Sequence, residues 1–265
     1  MLVWTPRGKA LVLGVFGVVV AVVFVAPIAT VIAAALAGTW TGPLPSDLGV
    51  ARLGDALSGE QAASLSVSLQ TALLAGAVSL VLGTWAALAS REAPGWLRRL
   101  TDAVFHLPVA VPSVALGLGV LIAFNERPLL LGGTKWIVIL AHSVLVLAYA
   151  FSAVSAALDR LDPAYRQAAE SLGAGPVRVL CQITLPLLLP ALGAAAGLAI
   201  ALSMGELGAT IMVYPATWKT LPVSIFAQID RGEVFDAAAG TTVLVVVTLV
   251  VLVVLGRDRG RAALR

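Results

Sequence analysis

The chain has 265 residues, of which 60% are hydrophobic and 12% are charged, with 17 Lys and Arg against 14 Asp and Glu. Ordinary globular domains carry roughly 45–50% apolar and about 25% charged residues. Because so few charges could not cover the surface of a soluble domain, the composition excludes an ordinary soluble protein and favours a membrane protein.

Six long stretches of the chain contain no Asp, Glu, Lys or Arg. Each reaches the roughly 20 residues that a helix needs to cross the hydrocarbon core of a bilayer. The apolar runs are continuous, which argues against the alternating strands of a barrel and leaves helices, since these satisfy their own backbone hydrogen bonds. The sequence therefore predicts an all-α membrane protein with six transmembrane helices. The predicted spans are about 10–36, 64–90, 103–124, 137–157, 187–208 and 237–256.

The first span has some features of a secretory signal peptide, because Arg7 and Lys9 precede it and small residues follow it. Its apolar run, from Ala10 to Ala37, is far longer than the roughly 7–15 residues of a signal core. We therefore predict a retained transmembrane helix, followed by an outside segment at 38–61.

The basic residues lie mostly on one side of the predicted spans. Twelve of the 17 Lys and Arg fall in the N-terminal segment, the second and fourth connections and the C-terminal tail. The positive-inside rule therefore places both termini in the cytoplasm, which agrees with an even number of spans. Since these residues form no dense patch, the pI of about 9.4 indicates loop anchors and no nucleic-acid partner.

Pro108 and Pro112 lie four residues apart in the third span and predict a kinked helix. Together with Ser113, Ser203 and Glu206 they are the candidates for a transport pathway or gate. A bend and small residues are also typical of ordinary helix packing, and the sequence leaves both interpretations open.

Glu206 is the one carboxylate within or at the edge of the fifth span. A charge at membrane depth is costly, so it usually faces protein or water. Glu206 is therefore either a pathway residue, which could pair with a ligand ammonium, or an interfacial acid bonded to neighbouring helices. For His106 and His142, in the third and fourth spans, a structural hydrogen bond is favoured over a proton relay, because no ladder of carboxylates accompanies them.

The longest cytoplasmic connection, residues 158–186, contains a predicted short helix. Asp162 suits the N-cap, Pro163 fits the first helical position, and Gly173 can end the helix in a left-handed conformation. Gly175-Pro176 then begins a second helical stretch that leads into the fifth span. From these residues alone, the short helix is either a plain connection or a contact for a partner.

No motif for catalysis or metal binding is visible. The chain has one cysteine, Cys181, which excludes an internal disulfide. It contains no phosphate-binding Gly-rich loop with Gly-Lys-Ser/Thr, and one Cys with two His on separate helices gives no ligand spacing. The outside segment at 209–235 carries aromatic residues, which suit either a membrane interface or a docking or gating surface for a solute-binding protein.

The connection at 158–186 resembles the EAA loop of ABC importer permeases, which begins Glu-Ala-Ala and ends Ile-x-Leu-Pro. Gln167 stands in place of the first Glu and keeps its length and polarity but not its charge. The resemblance implies a coupling helix that inserts into a cleft of an ATP-binding subunit. The implied coupling residues are Gln167, Ala168, Ala169, Gly173, Ile183, Leu185 and Pro186.

Further motifs at 107–113, 203–210 and 214–232 resemble the 2-aminoethylphosphonate importer permeases. Molybdate, sulfate, ferric-iron and thiamine permeases share part of this pattern and remain alternatives. The resemblance implies a type I ABC importer permease fold. It also implies a domain division into 1–63 (first helix and outside segment), 64–257 (permease domain) and 258–265 (basic cytoplasmic tail).

The resemblance also implies the partners and the location. They are a dimer of ABC ATPase subunits, a second permease subunit (a heterodimer is favoured over a homodimer) and an extracytoplasmic solute-binding protein, at a bacterial cytoplasmic membrane. ATP and Mg would bind the ATPase, with no cofactor and no enzymatic activity in this chain. An ion-driven carrier or a membrane-embedded enzyme is the alternative class. A carrier would line the membrane interior with ionisable residues, and here only Glu206 and two histidines are candidates.

Overall fold

The computed structural model describes residues 5–256, and this part of the chain is helical apart from its connections and one isolated β-bridge between Thr39 and Ser46. Single turns of π-helix lie at Ala21–Val25 and Leu180–Thr184 and continue directly into α-helix. The helices are α1 (Pro6–Val20), α2 (Ala26–Leu36), α3 (Ala51–Ala56), α4 (Gly59–Arg91), α5 (Gly95–Ala110), α6 (Ser113–Ala123), α7 (Lys135–Arg160), α8 (Pro163–Ser171), α9 (Pro176–Val179), α10 (Leu185–Met204), α11 (Gly208–Val213), α12 (Leu221–Asp230) and α13 (Val234–Gly256).

Five helical stretches are long and apolar enough to cross a membrane, and a sixth candidate is the bent pair α5 and α6. The prediction of six spans is confirmed when this pair counts as one. The five unbroken stretches are Arg7–Leu36, Gly59–Arg91, Lys135–Arg160, Pro176–Met204 and Val234–Leu255.

The kink predicted for the third span is a complete break, with a bend of 106° between α5 and α6. Pro108 lies inside α5, and the break falls at Val111, which has φ −100° and ψ 132°. The residue before a proline is driven away from the helical region, so Pro112 causes the break and stands at the N-cap of α6. The prediction of one kinked helix over 103–124 was therefore wrong in its continuity.

The described residues form two compact units, one from 5–62 together with 224–245, the other from 63–223 together with 246–256. In the first unit, Arg52 donates to the carboxylate of Asp236 at 2.7 Å and lies over the ring of Phe235. The Gln61 side-chain amide donates to the backbone carbonyl of Asp236. The start of α13 is therefore held to α3 and α4 by polar contacts.

In the second unit, α7 is the most buried of the candidate spans and forms the centre. Phe151 on α7 packs with Ala87 of α4 and Leu188 of α10. A Cβ at Gly83 would lie 2.9 Å from the backbone nitrogen of Phe151, so only glycine allows α4 to approach α7 this closely. These close contacts hold α7 between α4 and α10.

Candidate pathway cavity and coupling helix

The short helix predicted in the fourth connection is confirmed as α8, and both of its ends follow from local sequence. The Asp162 side chain accepts from the backbone N–H of Ala164 at 2.9 Å. At the other end, Gly173 has φ +81° and donates to the carbonyl of Glu170, while Ala174 donates to that of Ala169. This pair of bonds is a Schellman motif, which requires a left-handed residue and therefore favours glycine.

The predicted coupling residues lie on and beside α8, with different degrees of exposure. Ala168 and Gly173 are exposed, whereas Ala169 is half-buried. Gln167 and Ile183 line a cavity of about 260 Å³ between α8 and the helix that continues into α10. Leu185 lies half-buried and Pro186 exposed in the first turn of α10.

Two features of this region were missed by the sequence prediction. Leu172, at the end of α8, exposes 88% of its surface. Arg166 donates to Glu170 at 2.8 Å and to Glu92, in the α4–α5 connection, at 2.6 Å. The hydrogen bonds to Glu170 and Glu92 raise the pKa of the exposed Arg166 guanidinium above its ordinary value. The spacing of Arg166 and Glu170 on α8 could have suggested the first of these pairs.

A second cavity, of about 220 Å³, opens where the α5–α6 break faces α7 and the end of α10. It brings together four of the five predicted pathway residues: Pro108, Ser113, Ser203 and Glu206. The fifth, Pro112, creates the break but does not line the cavity. We call this space the pathway cavity. Its full lining is Pro108, Val109, Val111, Ser113, His142, Leu145, Val146, Tyr149, Leu202, Ser203 and Glu206.

One wall of the pathway cavity is held by a buried histidine. His142 on α7 is 1% exposed, and its Nδ1 and Nε2 lie 2.7 Å from Ser203 Oγ and Thr210 Oγ1. The Thr210 hydroxyl also donates to the backbone carbonyl of Glu206 at 3.1 Å. His142 therefore joins α7 to α10 and α11, as the structural interpretation of this residue predicts.

A neutral imidazole has one donor and one acceptor nitrogen, so the Ser203 and Thr210 hydroxyls satisfy both nitrogens of His142. The contact with Nδ1 uses either the hydrogen or one lone pair of Ser203 Oγ. Ser203 Oγ is left with acceptor capacity at the cavity wall.

Glu206 lies in the turn between α10 and α11, and its carboxylate is partly engaged. Oε1 accepts from the backbone N–H of Ala209 at 2.7 Å, which caps the first turn of α11. A Cβ at Gly208 would collide with Ser113 Oγ and approach Glu206 Oε1, so glycine permits close packing at this corner. Glu206 therefore both caps a helix and lines the cavity.

The other histidine, His106 on α5, also makes structural hydrogen bonds. Its Nδ1 donates to the carbonyl of Asp102, and its Nε2 lies 2.8 Å from Ser152 Oγ on α7. This contact ties the first half of the broken span to α7. Within residues 5–256, no group of three His, Cys, Asp or Glu side chains could hold a metal ion.

Part of the aromatic segment that is predicted to lie outside is anchored within the second unit. Trp218 donates from Nε1 to Thr71 Oγ1 of α4 at 2.9 Å, and Ser68 Oγ accepts from the backbone N–H of Leu221. The ammonium of Lys135 lies 5.3 Å from the centre of the Trp218 ring. These contacts fix Trp218 against the start of α7.

Comparisons with known proteins agree with this architecture. The family described as the binding-protein-dependent transport system inner membrane component matches residues 79–257. A protein of Salmonella paratyphi A, proposed as the 2-aminoethylphosphonate transport system permease protein PhnV, is 44% identical over 257 residues. The match covers 97% of this chain and 97% of that protein. The molybdenum transport system permease protein ModB of Mycobacterium bovis is 32% identical over 206 residues, covering 73% of this chain and 77% of that protein.

A solved structure shows the same fold. It is a bacterial alginate ABC transporter in complex with an alginate pentasaccharide-bound periplasmic protein, matched with a TM-score of 0.74 at 17% identity over 96% of this chain and 95% of that chain. These comparisons confirm the resemblance that the loop and span motifs predict. The chain belongs to the binding-protein-dependent transport system inner membrane components and is a multi-pass permease subunit of an ABC importer.

Proposed function

We propose that this permease imports 2-aminoethylphosphonate, delivered by an extracytoplasmic solute-binding protein and driven by a separate ATPase. The observation that supports this substrate is the 44% identity, over 97% of the chain, to a protein proposed as a 2-aminoethylphosphonate permease. The more distant molybdenum permeases share less of the chain, which favours the organophosphonate over the oxyanion.

The pathway cavity is the segment of the transport route that this subunit contributes. It lies at a broken span, and its lining joins four pathway candidates from two parts of the sequence, 108–113 and 203–206. Broken helices at membrane depth are tolerated where they line a cavity or are buried in protein, which supports a functional break at Val111. Pro112 acts by keeping α5 and α6 apart.

The α8 helix couples this subunit to the ATPase. Its exposed residues Gln167, Ala168 and Gly173 contact the partner, and Leu172 adds an apolar side chain that water surrounds in the isolated subunit. Ile183 faces α8 across the cavity that they share, and Leu185 and Pro186 lie in the first turn of α10. The ion pairs of Arg166 are exposed and contribute little to stability.

The remaining assignments follow from the charge distribution and the family. Both termini lie in the cytoplasm, the permease domain covers residues 64–257, and a second permease subunit of different sequence completes the pathway. ATP and Mg bind the ATPase subunits, and this chain binds no cofactor. Since ligand and nucleotide act only through different affinities for two states, transport requires α8 to move with the cavity wall.

Uptake into vesicles tests this proposal. The permease, its ATPase and its binding protein are reconstituted, and labelled 2-aminoethylphosphonate is followed with and without ATP. We expect uptake only with ATP, and its loss with Gly173→Pro, which disrupts the end of α8. Uptake that needs no ATP, or that survives this substitution, would contradict the coupling role. The cognate binding protein tests the substrate separately. If it binds molybdate and shows no heat of binding with 2-aminoethylphosphonate, molybdate replaces 2-aminoethylphosphonate as the proposed substrate.

A further inference from the structure

We infer that Glu206 and Ser203 form an ammonium-binding subsite in the pathway cavity, which selects solutes with a primary amine over the same solutes without it. The inference rests on the proposed function, since it assigns a ligand chemistry to the cavity proposed as the transport route. The cavity and the groups that surround it all belong to the second compact unit.

The first step is the charge of the lining. Glu206 is the only charged side chain among the lining residues, and no Lys or Arg is among them. A carboxylate within or at the end of a membrane span usually has a partner of opposite charge. A cationic group of the solute supplies that partner here, and the anionic group of the same solute lies away from Glu206.

The second step is the free capacity of the carboxylate. Glu206 Oε1 accepts one hydrogen bond, from Ala209 N–H at 2.7 Å. An ionised carboxylate has about four acceptor sites on its two oxygens. The bond to Ala209 therefore leaves acceptor sites free for a ligand, so the Glu206 carboxylate can bond to α11 and to a ligand at the same time.

The third step is the second acceptor that Ser203 provides at the cavity wall. Its Oγ lies 2.7 Å from His142 Nδ1, and in either tautomer of the ring it keeps at least one free lone pair. Ser203 Oγ therefore meets the cavity as an acceptor. Ser203 and Glu206 lie three residues apart at the end of α10, and both line the cavity. An ammonium, with three donors and no acceptor, matches two neighbouring acceptors of this kind.

The fourth step is size. The cavity has a volume of about 220 Å³, which is enough for a small solute. Its apolar remainder, including Leu145, Val146 and Leu202, suits a short alkyl chain next to the ammonium. The chemical class is therefore a small aminoalkyl compound, here an aminoalkylphosphonate.

The test measures equilibrium binding to the whole transporter, permease and ATPase together, in lipid nanodiscs without the binding protein. The probes are labelled 2-aminoethylphosphonate and its amine-free counterpart, ethylphosphonate. We expect the wild type to bind the amine at least about tenfold more tightly, the scale of a hydrogen bond to a charged group. Glu206→Gln keeps a carbonyl oxygen for Ala209 but removes the charge, so it should abolish the preference for the amine, and ethylphosphonate should bind at least as tightly as to the wild type because the repelling charge is gone.

Two further variants keep the test decisive. Glu206→Asp retains the charge and should retain part of the preference for the amine. Glu126→Gln removes an exposed carboxylate outside the cavity and should bind as the wild type does. Equal binding of the two probes by the wild type, no binding of either, or a Glu206→Gln protein that still prefers the amine, each overturns the subsite. Absence of ATP-driven 2-aminoethylphosphonate uptake by the wild type overturns the proposed function instead.

Discussion

Two buried hydroxyls and one imidazole decide how the end of α10 is held. Ser203 and Thr210 are 61 and 68 positions from His142 in sequence, yet both lie 2.7 Å from its ring nitrogens. The sequence identified His142 as a structural residue because no carboxylates accompany it. Its partners could not be predicted, because spacing along one helix says nothing about which turn of another helix it meets.

Replacing His142 with Phe tests this joint at the scale of a single residue. The ring fills much of the same space but leaves the Ser203 and Thr210 hydroxyls without their partner. Because buried polar groups without partners cost about 1–3 kcal/mol, and bonds between membrane helices about 0.6 on average, we expect a loss of about 1–2 kcal/mol. The measurement is thermal unfolding of the purified protein in detergent.

His106→Phe is the matched control. His106 also bonds to a serine of α7, but it is exposed, so its partners can bond to water or lipid headgroups instead. We expect this change to cost clearly less than His142→Phe. Equal losses of stability in the two variants would mean that burial does not determine how much the His142 hydrogen bonds stabilise the protein.

At the scale of the helix, local sequence predicts ends better than continuity. Asp162, Pro163 and Gly173 fixed the bounds of α8 in advance, because capping depends on neighbouring residues alone. The break at Val111 was only half predicted: two prolines signalled a bend, but the 106° angle depends on what α6 packs against. The start of α5 at Gly95 was missed because Arg98, Arg99 and Asp102 hide the helix from a search for apolar runs.

The packing of α6 against α11 depends on Gly117. A Cβ at this position would lie 2.7 Å from the Cα of Ala209, a backbone atom that cannot yield alone. Gly117→Ala should therefore push α6 from α11, with a destabilisation of about 1–3 kcal/mol that is typical of overpacking. The readout is the unfolding temperature, together with binding of the substrate probe in nanodiscs, since α6 begins at the pathway cavity.

Gly119→Ala, two residues further along the same helix, is the control. A Cβ there meets no atom within 4 Å. Ala also favours a helix over Gly by about 1 kcal/mol, so this change should be neutral or slightly stabilising. A Gly119→Ala protein as unstable as Gly117→Ala would show that the close approach to Ala209 is not what makes Gly117 sensitive, since helix propensity favours Ala at both positions.

The end of α8 allows a gentler test of coupling than the proline used above. Gly173 has φ +81°, so Gly173→Ala strains the Schellman motif by about 1 kcal/mol. We expect weaker stimulation of ATP hydrolysis by the loaded binding protein, because the end of α8 frays where it contacts the ATPase. Gly175→Ala, at a residue with φ −71° and open space around it, should leave stimulation unchanged. The same loss in both variants would argue against a role for the cap.

At the scale of the whole molecule, the placement of charges along the sequence predicts most of the fold. Stretches without charges gave the six spans because a lipid environment admits few charges, which is a property of composition and not of packing. The pathway cavity could be anticipated only as a set of unconnected candidates. Its volume and lining depend on the angle at the α5–α6 break and on the turn at Glu206, which are tertiary features.

The single cysteine makes the orientation of the whole chain measurable. Cys181 is exposed in the π-helical turn before α10, within the connection that the positive-inside rule places in the cytoplasm. A membrane-impermeant maleimide should therefore label the wild type only after cells are permeabilised. With Cys181→Ser as background, Leu44→Cys moves the thiol to an exposed position in the segment predicted outside. This protein should be labelled in intact cells, and labelling of Cys181 in intact cells would reverse the proposed topology.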